Sequence, residues 1–303
     1  MAPKSTVALL SELAASADGV FRGAEAVRCG VTRDQLAHLR AQGVIKRVFP
    51  DTYTLTAVRP SDAQRLRAAL LWAGDAAAAG RSAGWVYGLE GVVAPRPEIV
   101  GERRRSLRHP GVATFTTRDP ASLMLRVHNG IRVTGPEATL VRLAQLLTNE
   151  AFEIACEDAR RRHLTSVPAL RAYLARFGRG GRAGVVPMRA LLDQLDPRHP
   201  ARSTLEVKTR RLLAANGLTD YIREAPLAWE GREYEYDFAF ESGRVILETN
   251  GRRWHDDPAD YEHDHEKWSV PGRHGYKVVL PTWDKVVRHP ADLIAELRTT
   301  LAA

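Results

Sequence analysis

The chain has 303 residues, 44% of them hydrophobic and 26% charged, with a formal net charge of +8. That length exceeds one ordinary compact core, so two or three globular domains are expected and long disorder is excluded. No stretch reaches the roughly eighteen apolar residues of a membrane span, and Met1-Ala2-Pro3-Lys4-Ser5 lacks the apolar core of a secretion signal, so the expected location is cytoplasmic. Cys29 and Cys156 have no partners at ligand spacing, which excludes a cysteine zinc finger and a disulfide framework and leaves two reduced thiols. The surplus of cations attracts polyanions, nucleic acid first among them, although a basic composition alone also suits proteins that bind none.

Residues 7–57 read as three short helices and a hairpin. Val7-Ala-Leu-Leu-Ser-Glu-Leu-Ala-Ala15 has leucines at 9, 10 and 13 on one face. A second helix runs from Gly23 to Arg28 and stops at Gly30. A third opens with the capping box Thr32-Arg-Asp-Gln35 and continues through Leu36 and Leu39 to Gln42-Gly43, exposing Arg33, Gln35, His38 and Arg40. Val44-Ile-Lys-Arg-Val-Phe49 and Thr52-Tyr-Thr-Leu55 then flank the turn Pro50-Asp51. Three helices and a two-stranded wing form a winged helix-turn-helix over residues 1–57. In that arrangement Arg33, Gln35 and Arg40 face base edges in the major groove of double-stranded DNA and Lys46 and Arg47 face phosphate. The alternative is a small helical interaction domain with a solvated basic face.

Val31-Thr-Arg-Asp-Gln-Leu-Ala-His-Leu-Arg-Ala-Gln-Gly43 and Ile45-Lys-Arg-Val-Phe-Pro-Asp-Thr-Tyr-Thr-Leu55 resemble the N-terminal domain of the abortive-infection type IV antitoxin family. Asp51 stands where that family has a glycine in the wing turn. The resemblance implies a DNA-binding transcriptional regulator, with a cognate toxin or self-association left open.

Residues 58–200 read as an α+β connector domain like the one that follows the winged helix in that family. Its helices are expected at Gln64 to Trp72, Gly80 to Gly88, Ala138 to Leu147, Glu150 to Arg162 and Val167 to Phe177. Its strands are expected at Glu98 to Val100, Val112 to Thr117 and Ile131 to Thr134. Glu102-Arg-Arg-Arg-Ser-Leu-Arg-His109 is either a phosphate-contacting run or a solvated loop. Gly178-Arg-Gly-Gly-Arg-Ala-Gly184 lacks the ending of a phosphate loop and reads as a flexible hinge.

Past the break at Pro197-Arg-His-Pro200, Ser203-Thr-Leu-Glu206 opens an amphipathic helix that ends at Asn216-Gly217. Tyr234-Glu-Tyr-Asp-Phe-Ala-Phe240 alternates as a strand, and Val245-Ile-Leu-Glu248 is a short buried one. If the hairpin is symmetric about Ser242-Gly243, residue 240 pairs with 245 and Asp237 falls opposite Glu248. Opposed carboxylates repel unless a cation lies between them, and hard oxygen ligands suit Mg2+ or Mn2+. Glu206 either adds a third carboxylate or serves only its capping box. The alternative for Asp237 and Glu248 is a pair of solvent-facing edge residues.

Five ordered pieces carry a further resemblance: Ser203-Thr-Leu-Glu206, Tyr236-Asp-Phe-Ala-Phe240, Leu247-Glu-Thr-Asn-Gly251 with His255, Asp264-His-Glu-Lys267, and Gly275-Tyr-Lys-Val-Val-Leu280. They are similar to the PD-(D/E)xK nuclease superfamily, in the branch of very-short-patch-repair endonucleases. The resemblance implies a mixed sheet flanked by helices over 201–303, metal bound by Asp237 and Glu248, and hydrolysis of phosphodiesters. On this reading His255 is a proton-transfer group, a phosphate donor or a surface turn residue, and Lys267 holds phosphate or pairs with Asp264. Asn250 stands where the superfamily has a lysine and this branch an aspartate, so the competing expectation is a regulator whose nuclease-like domain only binds. His255, Asp256, Asp257, Asp260, His263, Asp264 and His265 could hold zinc, though their spacing matches no zinc motif and a charged loop is the alternative. The expected fold class is mixed α/β throughout.

Overall fold

The computed structural model describes residues 5–102, 108–195, 201, 203–229, 231–249 and 267–303. The fold is mixed α/β, and the chain divides into two compact units, Met1–Leu195 and Asp196–Ala303. Among the described residues no helix is long and apolar enough to cross a membrane.

The first unit opens with α1 (Thr6–Ala14), β1 (Val20–Arg22), α2 (Gly23–Arg28), α3 (Arg33–Ala41), β2 (Ile45–Phe49) and β3 (Thr52–Leu55). The side chains of Ser5 and Thr32 accept the N–H of the third helical residue in α1 and α3, satisfying donors that a helix start leaves open. Leu10, Phe21, Val31, Leu36, Leu39 and Ile45 form the core between these helices and the sheet. That sheet has three strands, in the order β1-β3-β2. The sequence pattern yields only the β2–β3 hairpin, because Val20–Arg22 is too short to show a period of two.

Asp51 explains its own departure from glycine. It lies at φ +53°, in the left-handed region that aspartate tolerates better than most residues. Its carboxylate accepts the N–H of Ala24, 3.3 Å away, so the wing turn caps the start of α2. Gly23 makes that approach possible, since a Cβ there would stand 2.4 Å from the Asp51 carboxylate.

The middle of the first unit contains α4 (Asp62–Ala73), β4 (Ala76–Ala78), α5 (Gly80–Val86), β5 (Glu98–Glu102), β6 (Ala113–Thr117), β7 (Arg126–His128), β8 (Ile131–Val133), α6 (Pro136–Leu146), α7 (Asn149–Arg161), α8 (Val167–Phe177) and α9 (Val185–Leu192). The sheet order is β6-β5-β4-β8-β7, with β5–β6 and β4–β8 parallel. The central strand β4 is three alanines, a residue type poor in strand propensity, and it forms because β5 and β8 hydrogen-bond it from either side. Leu66, Ala83, Ile99, Val133, Leu143 and Phe152 share one core with α8 and α9. Cys156 is fully buried there, and burial pushes its thiol up to about 12, whereas Cys29 is exposed. The wing packs on this body: Phe49 stacks on Trp72 at 5.3 Å and meets His109 edge-on at 4.7 Å. His109 is therefore half-buried packing rather than part of a solvated run, and residues 103–107 lie outside the described residues.

The segment 178–184 is not a hinge. Arg182 donates to Phe177 O at 3.1 Å, Ser122 Oγ at 3.2 Å and Tyr173 Oη at 2.9 Å. Gly184, at φ +86°, lies so close to α6 that a Cβ would stand 1.8 Å from the Val141 carbonyl. Gly178 and Gly184 serve close packing, which composition does not distinguish from flexibility, while Gly180 and Gly181 face open space.

The second unit comprises α10 (Thr204–Ala215), β9 (Ile222–Trp229), β10 (Arg232–Phe240), β11 (Val245–Leu247), the helical residues 267–273 as α11, β12 (Lys277–Val279), α12 (Trp283–Val287) and α13 (Pro290–Ala302). The order β12-β11-β10-β9 is antiparallel except for β11–β12. Leu205, Leu213, Phe238, Phe240, Leu247 and Leu293 form one core, while Tyr234, Tyr236, Ile246 and Val270 form another. Strand β9 is absent from the sequence reading because its residues do not alternate and Pro226 interrupts them; as an edge strand it accommodates the proline.

Gly184→Ala combines an unfavourable φ with a clash against backbone and is expected to destabilise the first unit by roughly 2 kcal/mol or more. Denaturant unfolding of the full chain measures this, and an unshifted first-unit transition would show that the 178–184 turn yields freely.

Candidate functional site

Two regions bring the candidate residues together. In the winged helix, Arg33, Gln35, His38, Arg40, Lys46 and Arg47 are all exposed. At 100° per residue they do not share one face of α3: Arg33 and Arg40 fall within about 20° of each other, on one shoulder, while Gln35 lies on the other. Arg33 and Arg40 border a groove with Ala24, Val27, Asp51 and Tyr53, and seven residues of helix separate them by about 10 Å. Gln35 Oε1 accepts the N–H of Thr32 at 2.8 Å, completing the capping box. One lone pair of its acceptor is thereby used in the cap, and the amide N–H groups remain without a partner in that cap. On the wing, Lys46 lies opposite Thr54, and Arg47 Nε donates to Phe49 O at 3.3 Å.

The second region lies on β10, β11 and α11. Phe240 pairs with Val245 and Phe238 with Leu247, the register a symmetric turn over residues 241–244 produces. One rung further, Asp237 N–H donates to Glu248 Oε2 at 2.9 Å. Asp237 Oδ2 accepts the Thr249 N–H at 2.7 Å and the Thr249 hydroxyl. Glu248 Oε1 accepts from the Lys267 ammonium, which lies 5.1 Å from the centroid of the Tyr236 ring. The Tyr236 hydroxyl donates to Lys267 O at 2.8 Å, tying the start of the described part of α11 to β10. Glu248 N–H donates to Val279 O at 3.0 Å, extending the β11–β12 pairing.

The side chains of Glu248 and Lys267 are 12% and 14% exposed, so this is a desolvated ion pair. Burial pushes the Glu248 carboxyl above its usual 4.5, the Asp237 charge pushes it further, and Lys267 opposes both. Burial and the Glu248 charge also push the Tyr236 phenol well up.

Glu206 is buried, and its Oε1 accepts from Arg223 Nη2 at 3.0 Å. Ser203 caps α10 by accepting the Glu206 N–H at 3.1 Å. Glu206 thus carries an ion pair to β9. Lys267 pairs with Glu248, a partner nineteen residues away that helix spacing from Asp264 does not suggest. Asn250, His255 and the acidic and histidine stretch through His265 lie outside the described residues. Among the described residues no group of three or more His, Cys, Asp or Glu side chains could hold a metal ion. Thr249 was missed from sequence; its position directly after Glu248 on a carboxylate-bearing strand end is the only signal it offers.

Residues 9–56 match the family described as "Transcriptional regulator, AbiEi antitoxin". No curated protein matches the chain. Among solved structures, it is similar to that of the RV2827C protein from Mycobacterium tuberculosis, at 20% identity and a TM-score of 0.46, over 66% of this chain and 78% of that one.

With its folded value raised, Glu248 contributes stability below pH 4.5 that is lost as pH rises through the raised value. Glu248→Gln removes that loss, so the unfolding free energy of the variant minus that of the wild type is expected to grow with pH above 4.5. Urea titrations from pH 4 to 8 measure the difference; a flat one would show that Glu248 ionises alike in the folded and unfolded chain.

Proposed function

We propose that the chain is a DNA-binding regulator of antitoxin type that grips duplex DNA with its N-terminal winged helix. The observation that carries this reading is the exposed basic set on the segment that matches the regulator family: Arg33 and Arg40 on one shoulder of α3, Lys46 and Arg47 on the wing. In winged helices the third helix enters the major groove. Arg33 and Arg40 then reach guanine edges or flanking phosphates, and the wing cations reach phosphate. Gln35 uses one carbonyl lone pair in the cap, which holds its amide at the start of α3 and leaves its N–H groups and second lone pair for a base edge.

Asp237, Glu248 and Lys267 support a second reading, in which the C-terminal unit is a metal-dependent endonuclease hydrolysing phosphodiesters. Two carboxylates against one ammonium leave a net negative charge, burial and then the Asp237 charge raise the Glu248 carboxyl, and Asp237 Oδ1 accepts no hydrogen bond among the described residues. This donor set fits Mg2+ or Mn2+, which Asp237 and Glu248 would hold. When bound, the ion would supply a water acidic enough to attack phosphorus near neutral pH. Thr249 fixes the orientation of the Asp237 carboxylate through both its N–H and its hydroxyl. Lys267 brings a positive charge to the Glu248 carboxylate, where it can meet a phosphate oxygen as negative charge develops. On this reading Lys267 supplies from α11 the cation that Asn250 does not, and His255 remains a proton-transfer candidate.

Arg33→Ala and Arg40→Ala are each expected to weaken duplex binding by about 1–3 kcal/mol, with the affinity falling steeply with salt. Fluorescence anisotropy at several salt concentrations reads both effects; unchanged affinity in both variants would overturn the recognition-helix assignment.

For the second reading, supercoiled plasmid and single-stranded DNA are incubated with Mg2+, Mn2+ or EDTA. Metal-dependent cutting is expected to fall about a hundredfold or more in Asp237→Asn and Lys267→Met. Clean wild-type protein that binds DNA and does not cut would leave the regulator reading alone.

A further inference from the structure

In the body of the first unit, a cavity of about 450 Å³ opens between the end of β6, α6 and the 178–184 turn. Val100, Phe115, Leu123, Val141 and Phe177 give it apolar walls, and four arginines, Arg118, Arg142, Arg179 and Arg182, border it against one carboxylate, Asp119. That volume lies within the range of small-molecule sites.

Arg142 and Arg182 form no ion pair among the described residues. Arg142 is half-buried, with its guanidinium carbon 3.9 Å from the centroid of the Phe115 ring. Its Nη1 donates to Gln145 Oε1 at 2.5 Å, its Nε is buried without a hydrogen-bond partner, and its Nη2 makes no hydrogen bond among the described residues. Burial holds its pKa below the usual arginine value, and Glu98 opposes this from a distance without forming an ion pair. Among the described residues Arg182 donates only to neutral oxygens, those of Phe177, Ser122 and Tyr173. A guanidinium half removed from water without a counter-ion carries part of that desolvation cost, and an anion with its own oxygens in the cavity would offset it.

We infer that this cavity binds a small organic anion of about mononucleotide size, its phosphate or carboxylate against Arg142 and its flat apolar part against Phe115, Leu123 and Phe177. Stacking on Phe115 holds the Arg142 fork in place before the ligand arrives, as planar recognition of phosphate or carboxylate requires. The apolar walls distinguish an anion with a ring from a bare ion, which would leave them wet.

The test is isothermal titration calorimetry of the full chain with adenosine monophosphate, 1-naphthoate and inorganic phosphate. It is run on wild type, on Arg142→Gln, and on Arg179→Ala, which changes an exposed residue and spares the core. At least one ring-bearing anion is expected to bind more tightly than phosphate, and to lose about tenfold or more in Arg142→Gln and measurably in Arg179→Ala. Binding of the nucleotide alone identifies a phosphate ligand, and of naphthoate alone a carboxylate; either supports the site. Absence of binding by both ring-bearing anions, or binding unchanged in both variants, overturns it.

Discussion

The register of the β10–β11 hairpin sets Asp237 and Glu248 side by side, and the architecture around them answers that repulsion. The Asp237 N–H and the Lys267 ammonium take the two oxygens of Glu248, and Thr249 takes one oxygen of Asp237. Tyr236 underlies the ammonium and binds the Lys267 carbonyl, so an aromatic residue of β10 fixes the helix that delivers the cation. The compensation is incomplete, because burial and the neighbouring charge still raise the Glu248 carboxyl. The site therefore retains net negative charge in a low-dielectric setting, where an uncompensated carboxylate is costly.

The winged helix faces the opposite electrostatic problem. Its basic residues are exposed on α3 and β2, where water screens them, and the fold needs no counter-charge for Arg33, Arg40 or Lys46. What the fold does need is a rigid base. Asp51 ties the wing turn to α2, and Phe49 anchors the wing on Trp72 and His109 of the same unit. A wing held at both its turn and its strand presents cations in a fixed geometry, which lowers the ordering cost of meeting a charged polymer. The same first unit contains the arginine-lined cavity, whose wall residue Phe115 lies on the strand that begins four residues after His109.

Local signals in the sequence determined the parts governed by neighbours a few residues apart. Thr32 and Ser203 mark helix starts because a hydroxyl three residues ahead reaches the open N–H. Pro50-Asp51 marks a turn through fixed and left-handed φ values, and the turn around Ser242-Gly243 sets a register that places Asp237 beside Glu248. The middle-region helices α4 to α8 and the candidate carboxylates were legible for the same reason, whereas α9, which follows the glycine-rich turn, was not. Only the tertiary structure decided that three alanines at 76–78 form a central strand, that a proline-bearing segment at 222–229 pairs with β10, and that a glycine-rich stretch packs rather than bends. Lys267 meeting Glu248, Arg223 taking Glu206, and Arg142 lacking a carboxylate belong to the same class. These depend on groups distant in sequence whose hydrogen bonds and charges act only once the chain has brought them within a few ångströms in a desolvated interior, and no short-range pattern encodes that approach.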